Sequence, residues 1–194
     1  MDMDHIYGTT ERSAVYQGCR HGDPATDPYR PTPNPVTGEL LIDPEIELKA
    51  KKFNLAISFY YSSQSDTDRQ YGRGRSASVN GHILSYASGE VDIVRGDLSA
   101  LQFFKAGASG GITTYTSTAN MGIVTTLTFD GAEFVERFTD GMELHYKAQG
   151  SGGDPVTHEL IKVQDADGNV QTYTYGSGVE AGLLKSIEVP GGNR

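Results

Sequence analysis

Apolar and polar residues alternate along much of this chain in short runs. The clearest run covers residues 53–61, in which every second side chain from Phe53 to Tyr61 is apolar or aromatic. A period of two with β-branched and aromatic residues predicts a half-buried strand. One or two shorter strands are expected within 39–50, interrupted at Pro44. Further strands are predicted at residues 82–86, 90–95, 101–105, 112–117, 123–129, 133–138, 142–147, 156–163, 170–175 and 183–189.

Turn signals separate these runs. Asp-Gly pairs at 130–131, 140–141 and 167–168 each lie between two predicted strands, and such pairs favour type I′ hairpin turns, in which both central residues have positive φ. No run of ten or more residues has the spacing of an amphipathic helix. We therefore predict an all-β fold, an antiparallel meander of many short hairpins that forms an extended or curled sheet. A closed β-sandwich is the alternative.

The chain divides into three predicted parts. Residues 1–37 form a leader with five prolines between Pro24 and Pro35, and proline fixes φ and lacks a backbone donor, so an irregular leader is expected. Residues 38–155 form a β-sheet region, in which the polar stretch 62–80 is interpreted as a long loop. Residues 156–194 form a repeat-like unit whose last strand precedes another turn signal. We expect the chain to be the front of a longer β-array.

The overall charge narrows the possible partners. The 194 residues carry 16 Lys and Arg against 25 Asp and Glu, a formal net charge of −9. Nucleic-acid binding needs clustered cations, and so does docking on anionic lipid, so neither is expected. No apolar run is long enough to span a membrane. Cys19 is the single cysteine, which excludes an internal disulfide, and the first residues lack the apolar core of a secretory signal.

Several weak motifs occur in an order that resembles RHS/YD-repeat proteins. Residues 34–40 (NPVTGEL) resemble the opening of the family, residues 138–141 (FTDG) resemble its hairpin, and residues 165–175 (DADGNVQTYTY) resemble a first YD repeat. The segment 71–76 (YGRGRS) is similar to the family's G-x-G-W segment, with Arg75 in the place of Trp. Gly176 stands where the YD pair has Asp, so the resemblance is to a divergent member.

This resemblance implies a function without catalysis. Proteins of this family wind a β-sheet shell around a C-terminal toxin or other cargo, and they are often exported or displayed at the cell surface. The chain would then be the front part of such a shell, cytoplasmic before export. Its partners would be the C-terminal continuation of the same shell or an enclosed cargo segment. The alternative is a β-sandwich module that binds carbohydrate, such as a cell-surface glycan, or another cell-surface partner.

Few residues are candidates for a site, and no catalytic or cofactor-binding residue is predicted. Asp165, Asp167 and Asn169 resemble part of a calcium loop, but position 176 is Gly where a bidentate Glu would be required, so a hairpin turn is the main interpretation. Arg95-Gly96-Asp97 is interpreted as an ordinary turn. Tyrosines on the strand faces could stack on a sugar ring or form cross-strand pairs within the sheet, and these are Tyr60, Tyr115, Tyr146, Tyr173 and Tyr175.

Overall fold

The structure of the protein is a computed structural model that describes residues 46–48, 55–62, 65, 68–117, 125–148 and 153–190. The predicted leader 1–37 lies outside these residues. Within them the chain forms β-strands and one short 3-10 helix, Gly178–Glu180. The strands are β1 (Ile46–Leu48), β2 (Leu55–Ile57), β3 (Phe59–Tyr61), β4 (Asp68–Arg69), β5 (Gly72–Arg73), β6 (Arg75–Ala77), β7 (His82–Ser85), β8 (Val91–Val94), β9 (Ala100–Ser109), β10 (Ile112–Ser117), β11 (Thr125–Phe129), β12 (Glu133–Phe138), β13 (Glu143–Ala148), β14 (Val156–Gln164), β15 (Val170–Tyr175) and β16 (Leu184–Glu188).

Strands β7 to β14 form a closed eight-stranded barrel. Each pairs antiparallel with the next, and β14 returns to β7 with Glu159 opposite His82 and His158 opposite Ile83. The all-β prediction and the hairpin order are confirmed. The open, extended or curled sheet is wrong, because the pairing of β14 with β7 closes the ring. One barrel also replaces the two stacked sheets of the alternative sandwich.

The sheet branches at β14. One edge of this strand pairs with β13, whereas the other edge is divided between two partners. Residues 156–159 bond β7, and residues 162–164 bond β15. Strand β15 in turn pairs with β16, so a short extension leaves the barrel wall. The predicted boundary between residues 155 and 156 thus falls at the start of a strand that belongs to both the barrel and the extension.

Two predictions fail before the barrel begins. The predicted single strand 53–61 is broken at Ser58, because β2 pairs with β1 and β3 pairs with β6. Ser58 instead binds Ser78, whose Oγ accepts from the Ser58 amide at 3.1 Å. The predicted long loop 62–80 contains β4, β5 and β6, and its residues Ala77 and Val79 are buried.

Side chains fill the barrel interior, as expected for eight strands. Alternation along each strand buries Phe103, Leu127, Phe134, Leu144, Tyr146 and Leu160, among others. The ring of Phe129 stacks on Phe134 with a centroid distance of 4.3 Å. The interior is therefore a packed core, and the features that face solvent lie on the outer wall and on the extension.

Candidate functional site

A concavity lined by polar and apolar residues lies on the outer wall of the barrel. We call it the hairpin cleft, because the β4–β5 hairpin covers β7 and β14 there and residues 181–183 form a third wall. Its volume is about 710 Å³. The polar residues that line it are Asp68, Arg69, Gln70, His82, Thr157 and Glu159, and the others are Leu84, Val94, Pro155, Val156, Ala181, Gly182 and Leu183.

Strand register brings the central side chains together. His82 and Glu159 are cross-strand partners, so their side chains lie on the same outer face, while their neighbours Ile83 and His158 lie inside. A hydrogen bond holds the extension beside the hairpin, since the Leu184 amide donates to Gln70 Oε1 at 2.7 Å. Gly182 has a φ of 80°, a conformation that favours glycine, and a Cβ there would be in ordinary contact with Glu159 Oε1 at 3.6 Å.

Arg69 and Glu159 form an ion pair at the base of the cleft, through Nη2 and Oε1. The Glu159 side chain is 6% exposed and that of Arg69 is 23% exposed. Burial raises the pKa of Glu159, and the charge and hydrogen bond of Arg69 act in the opposite direction. Arg69 Nη1 is also buried, but it finds no acceptor among the described residues. The guanidinium therefore retains a donor that the fold leaves unpaired.

His82 is held neutral beside this pair. Burial first, and then the charge of Arg69, lower the pKa of His82 to about 4, while its hydrogen bond to Asn80 opposes them. The ring contacts the Asn80 carbonyl through Nδ1 at 3.2 Å, and since a carbonyl can only accept, Nδ1 carries the proton. Nε2 is then a hydrogen-bond acceptor. The lining of the cleft thus includes a neutral imidazole beside an ion pair.

A second charged group lies inside the barrel. Arg95 forms a bidentate pair with Glu136, in which Nη1 donates to Oε2 at 2.6 Å. The hydroxyl of Tyr146 also donates to Glu136 Oε2 at 3.2 Å, and the Phe138 ring lies 5.6 Å from the Arg95 guanidinium carbon. Arg95 is 3% exposed and Glu136 is 0% exposed, so this group is sealed from ligands and contributes to the core.

A serine and a histidine meet in the barrel without the third member of a hydrolytic triad. Ser85 Oγ and His158 Nε2 are 2.9 Å apart. His158 Nδ1 is buried and has no hydrogen-bond partner within the described ranges, whereas a triad requires a group there that orients the imidazole. The edge of the His158 ring packs against Phe134 at 4.8 Å between centroids, and burial lowers its pKa.

The five tyrosines of the sequence analysis do not share one surface. Tyr146 and Tyr173 are buried, which is what cross-strand packing requires. Tyr115 is half-buried, and the centroid of its ring lies 5.7 Å from that of Phe134. The Tyr175 hydroxyl donates to the Leu160 carbonyl at 2.9 Å. Tyr60 is half-buried in β3. A role for them in ligand stacking stays a prediction.

The weak cation candidate forms a hairpin loop. Asp165 Oδ1 accepts from the Asn169 amide at 2.8 Å and from the Asp167 amide at 3.0 Å, while Oδ2 accepts from the Asn169 side chain at 2.8 Å. Both carboxylate oxygens of Asp165 therefore stabilise the turn. Burial raises the pKa of Asp165, but these hydrogen bonds outweigh it and lower the pKa overall. Among the residues that the structure describes, no three His, Cys, Asp or Glu side chains form a group that could hold a metal ion.

Sequence reasoning missed the hairpin cleft. Arg69 lies in the segment that was interpreted as a loop, and Glu159 is 90 residues away from it along the chain. No local spacing links them. The one available signal was the presence of His82 and Glu159 at the outward positions of two apolar strands, where the fold buries both of them.

Comparisons with known proteins give no further assignment. No family model matches the chain, and no curated protein is significantly similar to it. Within the described ranges, no helix has the length and apolar character needed to cross a membrane.

Proposed function

We propose that this chain is a non-enzymatic structural module, the front part of a YD-repeat-type shell that encapsulates or presents a toxin or other cargo. The observation that supports this proposal most directly is the branching of the sheet at β14. The ring β7–β14 is closed and has few free strand edges, whereas the extension β15–β16 leads away from it. In this proposal the closed barrel forms one end of a longer β-sheet, and the extension β15–β16 continues that sheet away from the barrel.

The outer edge of β16 is the point of continuation in this proposal. Strand β16 pairs with β15 on one side, and no other described strand pairs with it. An edge at which no described strand pairs offers a row of backbone donors and acceptors to a further strand. Strand β16 is also held in place beside the barrel, because Leu184 and Ile187 pack against the core. The partner would be the next strand of the same shell.

The barrel itself has no room for cargo, because buried side chains such as Phe103 and Tyr146 fill it. An enclosed segment would therefore lie against the strip beyond β16. Export or display at the cell surface belongs to the same proposal and rests on the family resemblance. The proposal assigns no catalytic residue.

An edge-blocking substitution tests the proposal. Ser186 lies in the middle of β16, and Ser186→Lys places a second charge beside Lys185 on the open edge, a change that opposes edge pairing. Thr172→Lys is the matched control, because Thr172 is exposed but both edges of β15 are paired at that residue. We expect the unmodified chain and the control to associate with rising concentration in sedimentation velocity, and Ser186→Lys to remain monomeric.

A chain that stays monomeric at every concentration, with β16 amides that exchange no more slowly when it is concentrated, would contradict the proposal. Equal association of the two lysine variants would place the contact elsewhere and would count against β16 as the joining edge.

A further inference from the structure

The pairing of β14 with β7 closes the barrel, and we call it the barrel seam. It consists of four residue pairs, from Val156 opposite Ser85 to Glu159 opposite His82. Each of the other pairings in the ring joins strands that follow each other in sequence, so a connecting segment keeps the two strands close if they separate. The seam lacks such a connection, because Ser85 and His158 are 73 residues apart along the chain. The barrel therefore opens most easily at the seam.

His158 lies on the inner side of the seam, in surroundings that suit only a neutral ring. Its Nε2 is 2.9 Å from Ser85 Oγ, and its Nδ1 is buried without a hydrogen-bond partner among the described residues. The rings of Phe129 and Phe134 lie nearly perpendicular to the imidazole, with centroid distances of 6.2 and 4.8 Å. A protonated imidazole carries a donor on each nitrogen, so the proton on Nδ1 would have no acceptor.

No charged side chain within the described ranges forms an ion pair with His158. The residues that contact its ring are Ser85 of β7, Phe129 of β11 and Phe134 of β12, and its register partner on β13 is Ala148. Burial lowers the pKa of His158. A protonated His158 would be a buried cation without compensation, which is unfavourable in a folded chain.

His82 is a second histidine of the seam, on its outer side. Burial first, and then the charge of Arg69, lower its pKa to about 4 against the effect of the Asn80 carbonyl. Its register partners are Glu159 on β14 and Val94 on β8. Glu159 acts in the opposite direction, because burial raises its pKa and the closed barrel therefore retains its proton more readily. Acid thus favours opening through the two histidines and is opposed by Glu159.

We propose that the barrel seam is an acid-sensitive closure, at which β14 separates from β7 when His158 and His82 take up protons while the other pairings of the ring persist. Histidines in an opened seam are solvated and titrate near their ordinary pKa of about 6.5, so the closed barrel is fully favoured above that pH and loses stability below it. At about pH 5 the barrel would become an open sheet, with its apolar inner face and two strand edges exposed. This inference concerns the barrel alone and does not depend on the proposed shell.

Hydrogen exchange of the full chain tests the proposal, when it is followed amide by amide at pH 7 and pH 5 and corrected for the intrinsic exchange rate at each pH. We expect the amides that bond across the seam to lose protection about tenfold or more at pH 5, because the opened seam binds protons that the closed seam excludes. The amides that bond between β11 and β12 should change much less.

His158→Gln removes the titratable ring and keeps an amide that can bond Ser85. We expect the loss of seam protection at pH 5 to be about tenfold smaller in this variant. His145→Gln is the matched control, because His145 lies on the outer wall 3.7 Å from Glu133 Oε2 and 3.3 Å from Glu143 Oε2. These carboxylates can accept from a protonated ring, so the control should leave the acid response of the seam unchanged.

A disulfide across the seam provides a second measurement if His158→Gln fails to fold. Leu84 and Thr157 are register partners, and cross-strand partners lie within the Cα distance that a disulfide requires. Leu84→Cys together with Thr157→Cys, in a chain that also carries Cys19→Ser, should keep the seam protected at pH 5 when it is oxidised. When it is reduced, the same chain should lose seam protection as the unmodified chain does.

The proposal is overturned if the seam amides keep their protection at pH 5, or if the amides between β11 and β12 lose protection to the same extent, since the whole barrel would then be unfolding. Equal acid responses of His158→Gln and His145→Gln also overturn it. So does an oxidised disulfide chain whose seam amides lose as much protection as those of the reduced chain.

Discussion

At the residue scale, the barrel depends on a charged pair in its interior. Arg95 and Glu136 are almost fully buried, and Tyr146 adds a hydrogen bond to the same carboxylate. Taking two charges out of water is unfavourable, so such a pair adds little net stability while it is intact. Removing one partner has a much larger effect, because the other charge then remains buried without compensation.

Glu136→Gln measures this dependence. The substitution preserves shape but removes the carboxylate charge that faces the buried Arg95 guanidinium, so we expect a loss of about 3–5 kcal/mol in the free energy of unfolding. Glu143→Gln is the control, since the Arg137–Glu143 pair is exposed and its loss should cost about 0–1 kcal/mol. Urea denaturation measures both. Equal effects of the two variants would show that burial does not set the penalty.

His82 gives the fold a pH dependence of known sign. Its pKa is about 4 in the folded chain, below the ordinary value of 6.5, so the unfolded chain takes up the proton first as the pH falls. The contribution of His82 to the free energy of unfolding is therefore fully present above pH 6.5 and is lost as the pH falls towards 4. At about 1.4 kcal/mol per pKa unit, the loss is about 3 kcal/mol. The charge of Arg69 contributes to the shift and the Asn80 carbonyl opposes it. Glu159, the cross-strand partner of His82 and the ion-pair partner of Arg69, is the titratable group on the same face.

The comparison of His82→Gln with the unmodified chain isolates this contribution, because other titrating groups such as Glu159 are common to both proteins. We expect the urea midpoint of the variant to fall less between pH 7 and pH 4.5. Parallel pH profiles for the two proteins would show that His82 titrates normally in the folded state.

At the element scale, four hairpins share one loop design. In each, a turn is followed by a residue with positive φ that bonds back to the first strand, and these residues are Gly89, Leu98, Gly141 and Gly168. The Asp-Gly pairs therefore predicted the hairpins at 130–131, 140–141 and 167–168 correctly but the turn type wrongly, because none of the aspartates has positive φ. Both turn residues have positive φ at Gly110 and Gly111, between β9 and β10.

Gly96 is a position in a hairpin that has no room for a side chain. The β8–β9 hairpin presses against the end of β6, and a Cβ at Gly96 would lie 2.6 Å from the Ser78 Cα and in contact with the Ala77 carbonyl. Gly96→Ala should therefore destabilise the chain by about 1–3 kcal/mol, as overpacking does. The control is Gly107→Ala, where the nearest atom is Thr114 Oγ1 at 3.9 Å. Thermal unfolding compares the two, and a smaller loss at Gly96 than at Gly107 would contradict the close packing.

The local pattern predicted strands well and their partners poorly. Strands β12 and β15 have the predicted bounds, because alternation and turn residues are local signals. The break at Ser58 could not be predicted, since it depends on Ser78, which lies 20 residues further along the chain. The turn at Arg95-Gly96-Asp97 was expected, but the pairing of Arg95 with Glu136, 41 residues away, was not. The hairpin cleft depends on contacts of the same long range.

At the scale of the whole molecule, one pairing decides the architecture. Seven of the eight contacts around the barrel join strands that follow each other in sequence, and such contacts could be read from alternation and turns. The eighth, between β14 and β7, joins segments 73 residues apart, as between Ser85 and His158. No periodicity carries that information, because a meander with the same strands can remain open or close. The same pairing forms the wall on which the hairpin cleft is built.

The shared edge of β14 also fixes an order of events during synthesis. A ribosome that releases this chain exposes β7 long before β14 emerges, so the nascent meander carries an incomplete hydrogen-bond ladder for the whole of that interval. Barrel closure brings together a loop of about 70 residues, whose entropic cost must be met before the new contacts form. Strand β15 emerges later and pairs with residues 162–164 of the same edge, which do not pair with β7. Newly made chains would therefore be most vulnerable to proteases and to mispairing just before residue 156 appears.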